Sequence, residues 1–295
     1  MTRSLIFFIG FLVFFLNLNA QRTSIYSEIN LHYKEGLRLF QEGVYGAARK
    51  EFEKVSNDQR LSFEPEYQTL KTNAEYYAAI SGLRLQQDDA DLQVKEFIKK
   101  YRPDPIAEKA NLEVANHYFE QKNYDKALSF YTLLDTRGLA SETLSEVRYK
   151  QGYAYFTKKD FKQAVSSFRQ VSNLKTEYYF PANYYLGMSQ YFTAQYDDAI
   201  KSFQIASKSK KYTDLIPYYI TQIYFSQGKY DQLLAYAKPY LAGTQKIDKV
   251  NLIRRMAGHA YFIKKDFQNA LLYLEEFEKG NTNLEEADYY ALGYS

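Results

Sequence analysis

Three histidines are the side chains best able to move protons or hold a metal near neutral pH, and their spacing favours neither. His32, His117 and His259 lie 85 and 142 residues apart, which matches no metal-ligand spacing. Each falls in a helical pattern, so a packed or surface-lining imidazole is the simpler reading. Cysteine is absent, which removes thiolate nucleophiles, sulfur-ligated metals and disulfides. The glycines stand singly and form no phosphate-cradling loop. Acid pairs such as Asp197-Asp198 and Glu275-Glu276 read as solvated helix faces rather than buried dyads with split pKa values. Lys208, Lys210 and Lys211 cluster where a helix ends, a place the helix dipole favours for cations; an acidic-partner patch is the alternative. The expectation is a protein that is not an enzyme and has no cofactor or metal.

What remains is aromatic: 31 Tyr and 21 Phe without a single Trp. These rings recur at fixed places. The stretch beginning Gly152-Tyr-Ala-Tyr-Phe matches the one beginning Gly258-His-Ala-Tyr-Phe at nine of 13 positions. A small residue, then an aromatic, then Ala twelve residues on also appears at Gly36/Ala48, Ala115/Ala127 and Gly187/Ala199. A weaker copy starts at Thr221, with Leu233 in place of the Ala. Positions 115, 152, 187, 221, 258 and 293 are separated by 37, 35, 34, 37 and 35 residues.

Each position has a physical role in a helix-turn-helix unit. The small residue admits close approach of the partner helix, and the Ala does the same from the other side. Four residues after the Ala comes a large side chain (Phe52, Tyr131, Phe168, Phe203 or Leu274), an i, i+4 stripe for packing on the next unit. Asn123, Asp160 and Asp266 stand where helix caps are needed, and Asp160 with Gln163 has the capping-box spacing. Pro103, Pro105, Pro181 and Pro217 fall between units or in a first helical turn. Glu66–Tyr101 is helical in pattern but lacks the frame, with Ser81 its nearest small residue and Asp88-Asp89 marking the turn.

This pattern resembles the tetratricopeptide repeat family over nearly the whole chain beyond residue 20. The resemblance implies an all-α, right-handed superhelical solenoid of antiparallel helix pairs. Repeats are expected near residues 26–57, 63–101, 105–136, 141–174, 178–208, 212–242 and 247–279, with 283–295 the first helix of an eighth that stops. A stack ending there leaves an apolar face uncapped, so a longer parent array is expected. In flavour the chain also looks like exported repeat proteins common in Bacteroidota.

That address rests on the start. Arg3 precedes an apolar run, Leu5–Leu16, which is too short to span a bilayer that needs about 20 residues. Ala20 then offers a small residue for cleavage. Residues 1–20 are therefore expected to be a cleaved secretory signal, with an uncleaved anchor as the alternative. The product, residues 21–295, is expected in the periplasm or at the cell surface, with no membrane span. Its charge balance, 37 basic against 35 acidic residues once Arg3 is removed, argues against nucleic acid.

The candidate site is a second apolar stripe on the first helix of each repeat, at positions −3, +1 and +4 from the small residue. It comprises Tyr33 and Phe40; Asn116 and Phe119; Tyr149, Tyr153 and Phe156; Tyr184, Met188 and Tyr191; Tyr218 and Phe225; and Arg255, His259 and Phe262. If first helices line the concave surface, as the resemblance implies, this stripe becomes an aromatic groove. Tyr149, Tyr153, Tyr184 and Tyr218 are expected to be exposed, while the +4 rings either line the groove or pack between helices. Members of the family that clamp acidic peptides use Lys, Arg and Asn here, and only Asn116 and Arg255 fit that pattern. The expected partner is a protein segment of the cell envelope, with a glycan as the alternative because tyrosine also stacks on sugars. A third reading makes the chain the non-catalytic N-terminal part of a larger multidomain protein.

Overall fold

A computed structural model describes residues 25–60, 63–243, 247–280 and 283–295. The expected signal, residues 1–20, lies outside them. The described residues form helices and turns without strands, and they fall into two compact units that meet at Arg137/Gly138.

The first unit holds three helix pairs. These are α1 (residues 25–41) with α2 (Tyr45–Ser56), α3 (Pro65–Arg84) with α4 (Ala90–Tyr101), and α5 (Pro105–Glu120) with α6 (Tyr124–Tyr131). The second unit holds four pairs. They are α7 (Ser141–Thr157) with α8 (Phe161–Arg169), α9 (Tyr179–Phe192) with α10 (Tyr196–Ala206), α12 (Ile216–Ser226) with α13 (Tyr230–Leu241), and α14 (Val250–Ile263) with α15 (Phe267–Lys279). A one-turn α11 (Lys210–Thr213) precedes α12, and α16 (Glu286–Tyr294) follows the last pair. Within each unit a second helix packs on the next first helix, as α2 does on α3 and α8 on α9. Successive first helices also touch, as α12 and α14 do. Seven pairs and an eighth first helix are thus present among the described residues.

One turn geometry joins all seven pairs. Gly43, Gln86, Lys122, Lys159, Ala194, Gly228 and Lys265 each adopt positive φ, between 56° and 76°. Each closes its helix by the same two backbone bonds. Lys159 donates to Phe156 O at 2.9 Å, and Asp160 donates to Tyr155 O at 2.9 Å. This is the Schellman helix-ending motif, with its αL residue, which satisfies carbonyls the helix leaves free. Asn123, Asp160 and Asp266 then cap the second helix by accepting from the backbone N–H three residues on. Pro65 and Pro105 open their helices, where the missing N–H costs nothing.

This turn corrects the reading of the second pair. The small residue lies seven positions before the αL residue in the other pairs, as Gly152 does before Lys159. Counting back from Gln86 gives Ala79, not Ser81, and Ala79 is buried. The frame is present but its turn is two residues longer, with Gln87, Asp88 and Asp89 before Ala90 where Asp160 alone precedes Phe161.

The small residue makes room for one particular side chain. A Cβ at Gly36, Gly152 or Gly187 would lie 2.7–2.8 Å from the ring of Phe52, Phe168 or Phe203, and one at Gly258 2.6 Å from Leu274. Those rings are fully buried. On its other side each ring stacks on a tyrosine of the next repeat: Phe52 on Tyr77, Phe168 on Tyr185 and Phe203 on Tyr219. Centroids are 5.1–5.9 Å apart and planes within 17°. The repeating structural element is therefore a glycine, a ring and a tyrosine in sequence, which locks one pair onto the next.

Candidate functional site

The stripe is built by the same frame, so each position has one recurring environment. The +4 rings are Phe40, Phe119, Phe156, Tyr191, Phe225 and Phe262. All are half-buried. Each meets the first residue of its own second helix. Phe40–Tyr45, Phe119–Tyr124, Phe156–Phe161, Phe225–Tyr230 and Phe262–Phe267 meet edge to face at 5.3–5.9 Å, and Tyr191–Tyr196 is tilted at 6.1 Å. These rings clasp the turn inside their own repeat, an arrangement worth about 0.5–1.5 kcal/mol per pair beyond burial.

The −3 position carries Tyr33, Tyr149, Tyr184, Tyr218 and Arg255. The four tyrosines are half-buried rather than exposed, because the next repeat reaches over them. Tyr178 lies 4.9 Å from Tyr149, and Tyr212 stacks on Tyr184 at 4.6 Å. Burial, with neighbouring phenols adding to it, pushes the hydroxyls of Tyr149 and Tyr184 well above the ordinary tyrosine value. Tyr218 differs, since Lys249 places its ammonium 4.4 Å above the ring. Tyr33 packs against Phe52 and Tyr77.

At +1 the expected surface breaks up. Met188 is 8% exposed and belongs to the core with Phe203 and Ile220, so it lines no groove; its unbranched thioether fills the gap between elements. Asn116 accepts from the Tyr131 hydroxyl at 2.6 Å. Tyr153 is half-buried beside Tyr149 and Tyr185.

Arg255 and His259 are committed to a carboxylate that sequence reasoning missed. Asp288 of α16 is fully buried. Its Oδ1 lies 2.8 Å from Arg255 Nε and 2.7 Å from His259 Nε2, and its Oδ2 accepts from the Glu285 backbone at 2.9 Å. Arg255 also bridges Glu285 at 2.6 Å. Burial works against the ionised form of Asp288, yet the bonds from Arg255 and His259 outweigh it and hold the carboxyl below its usual range. The one signal in the sequence was the Glu285-x-x-Asp288 capping spacing, and that spacing says nothing of burial.

The structure draws the stripe together through tyrosines two residues before the small position, which were also missed. Tyr185 contacts Tyr149, Tyr153, Phe156, Phe168 and Tyr184, all within 6.2 Å. Tyr77 plays that part in the first unit for Tyr33, Phe40 and Phe52. Their recurrence at −2 was visible in the repeat itself. Two apolar side chains at +5, Phe192 and Ile263, are half-exposed beside the +4 rings. Tyr33, Phe40, Asn116 and Phe119 belong to the first unit and the rest of the stripe to the second. Among the described residues no three acidic or histidine side chains converge as a metal site, and no helix is long and apolar enough to cross a membrane.

No family model matches the chain, and no curated protein does. Similar solved structures exist. A tetratricopeptide repeat protein from Parabacteroides merdae is 14% identical, over 90% of this chain and 97% of that one, with a TM-score of 0.45. MamA is also 14% identical, over 62% and 92%, with a TM-score of 0.46. A chain of the Naa15/Naa10 assembly bound to HypK superposes at a TM-score of 0.63 and 13% identity. That match covers 90% of this chain but only 39% of the other.

Proposed function

From the premise that this chain folds as a tetratricopeptide repeat array, we propose that it is a non-catalytic scaffold whose first-helix aromatic face holds a segment of a protein partner. The observation that carries this reading is the recurring row of half-buried tyrosines that keep part of their surface open, Tyr153 and Tyr218 among them. Tyrosine offers rigid contact area with a hydroxyl at its tip, which suits a peptide backbone. A sugar ring needs an open aromatic face instead. Here the faces are largely spent on one another: Tyr185 is enclosed by five rings, and Tyr219 has Phe203 on one side. The half-exposed Phe192 and Ile263 extend the apolar strip without adding charge. The neighbour bound to HypK is a protein-binding use of the same fold.

We place the scaffold in the cell envelope, on the strength of the Arg3, Leu5–Leu16 and Ala20 pattern. Sequencing of the processed N-terminus should then return Gln21. For the groove, a photo-crosslinker at Thr157 in the native host should trap a protein. Tyr153→Ala with Tyr218→Ala should abolish that crosslink while circular dichroism shows the variant still folded. Crosslinking that survives both changes, or retardation on polysaccharide gels that they abolish, would overturn the reading.

A further inference from the structure

A cleft in the first unit, away from the aromatic stripe, combines an apolar floor with a cationic rim in which two lysines are unpaired. It has a volume of about 290 Å³ and is lined by Lys95, Ile98, Lys99, Arg102, Phe130 and Leu133. Ile98 and Phe130 are buried and form the floor, while Leu133, 58% exposed, forms one wall. No carboxylate lines it.

The cations stand at 95, 99 and 102, the i, i+4, i+7 spacing that puts them along one edge of α4 and its C-cap. Like charges at that spacing repel one another. Arg102 is relieved, with Glu108 at 3.2 Å and the Leu133 carbonyl at 3.0 Å. Lys95 and Lys99 make no ion pair among the described residues, whereas the other two lysines on α4 and α6 do: Lys100 holds Glu75 and Lys126 holds Asp91. The helix dipole accounts for Lys99, which lies in the last turn. It does not account for Lys95, whose ammonium instead stands 5.6 Å over the Phe130 ring at the cleft floor.

We propose that this cleft binds a single-chain amphiphile with one anionic head group, of the fatty-acid carboxylate class. The hydrocarbon lies on Ile98, Phe130 and Leu133, and the head group lies between Lys95 and Lys99. The volume is at the small end for ligand pockets, so the occupant is one short chain rather than a folded segment. The charge complementarity selects an anion, and the carboxylate-free lining excludes a cationic head.

Calorimetric titration of the purified chain with decanoate, below its micelle-forming concentration, tests this. One-to-one binding is expected. Lys95→Glu with Lys99→Glu should weaken it on the order of tenfold, and Lys34→Glu, an exposed lysine elsewhere in the unit, should not. Leu133→Ser should weaken it as well, and circular dichroism should show both variants folded. Decanol and butyrate should each bind at least about tenfold less well, the first lacking charge and the second lacking chain. Equal binding of decanol or butyrate, or indifference to the Lys95/Lys99 reversal, would overturn the proposal. So would sedimentation with anionic vesicles in the absence of decanoate binding, because that result assigns the cations to a membrane surface.

Discussion

Glycine in a helix is ordinarily a weakness, and at Gly152 and Gly187 it is a requirement. Replacing a mid-helix glycine with alanine gains about 1 kcal/mol of helix propensity where space allows. At Gly187 the new methyl would meet the Phe203 ring at 2.7 Å, whereas at Gly46 nothing lies within 4 Å. Gly187→Ala is expected to lose about 1–3 kcal/mol through overpacking, and Gly46→Ala to gain up to about 1 kcal/mol. Urea denaturation of the two variants checks both signs. The sequence showed that small residues were needed there, because they recur with an Ala twelve positions on. It did not show which ring filled the space, since that depends on how two helices meet. Met188 illustrates the same limit: its place on the helix was readable, but its burial was set by neighbouring helices.

At the level of elements, the hairpin turn decides the register. Lys159 and Lys265 hold positive φ, which costs a residue with a Cβ roughly 1–2 kcal/mol. Lys159→Gly is expected to be neutral or to stabilise by up to about 1 kcal/mol, because the relief is partly offset by backbone entropy. Lys159→Val should lose about 1–3 kcal/mol, since a branched side chain tolerates that conformation worst. Thermal melts of the pair separate the outcomes. The helices and most of their caps were legible from periodicity and from Asn123, Asp160 and Asp266. The second pair was misaligned because Gln86 carries none of the usual marks of a left-handed turn, and a two-residue insertion hid Ala79. The candidate stripe was legible as a spacing, but not its exposure, because that depends on how Tyr178 and Tyr212, each nine residues before the next small residue, fold back over Tyr149 and Tyr184.

Across the whole chain, stability is divided among neighbours. Within each unit a helix pair touches the pairs beside it, so a local fault should stay local. Ala164 is fully buried in α8, and Ala164→Leu should wedge its pair open at about 1–3 kcal/mol. Hydrogen exchange should then show lost protection in α7 to α9, with α1 to α4 unchanged. Uniform loss along the chain would contradict the repeat-by-repeat division. This arrangement follows from a sequence without cysteine, in which every junction depends on packing or on charge.

The buried Asp288 gives one junction of the second unit a sensitivity that its ring-stacked junctions lack. Phe168 on Tyr185 and Phe203 on Tyr219 are seams of neutral rings, indifferent to protons. The seam that seats α16 is held by a carboxyl whose folded pKa is depressed. Such a group contributes fully above its unfolded value, about 3.9, and that contribution disappears as pH falls through the lower folded value. Acid should therefore release α16 before any other helix of the second unit, seen as early exchange of the Leu292 and Tyr294 amides. In Asp288→Asn the same amides should exchange early at neutral pH, with little further change on acidification. Protonation then loosens that one seam, turning a change in acidity into a change in how firmly α16 is seated.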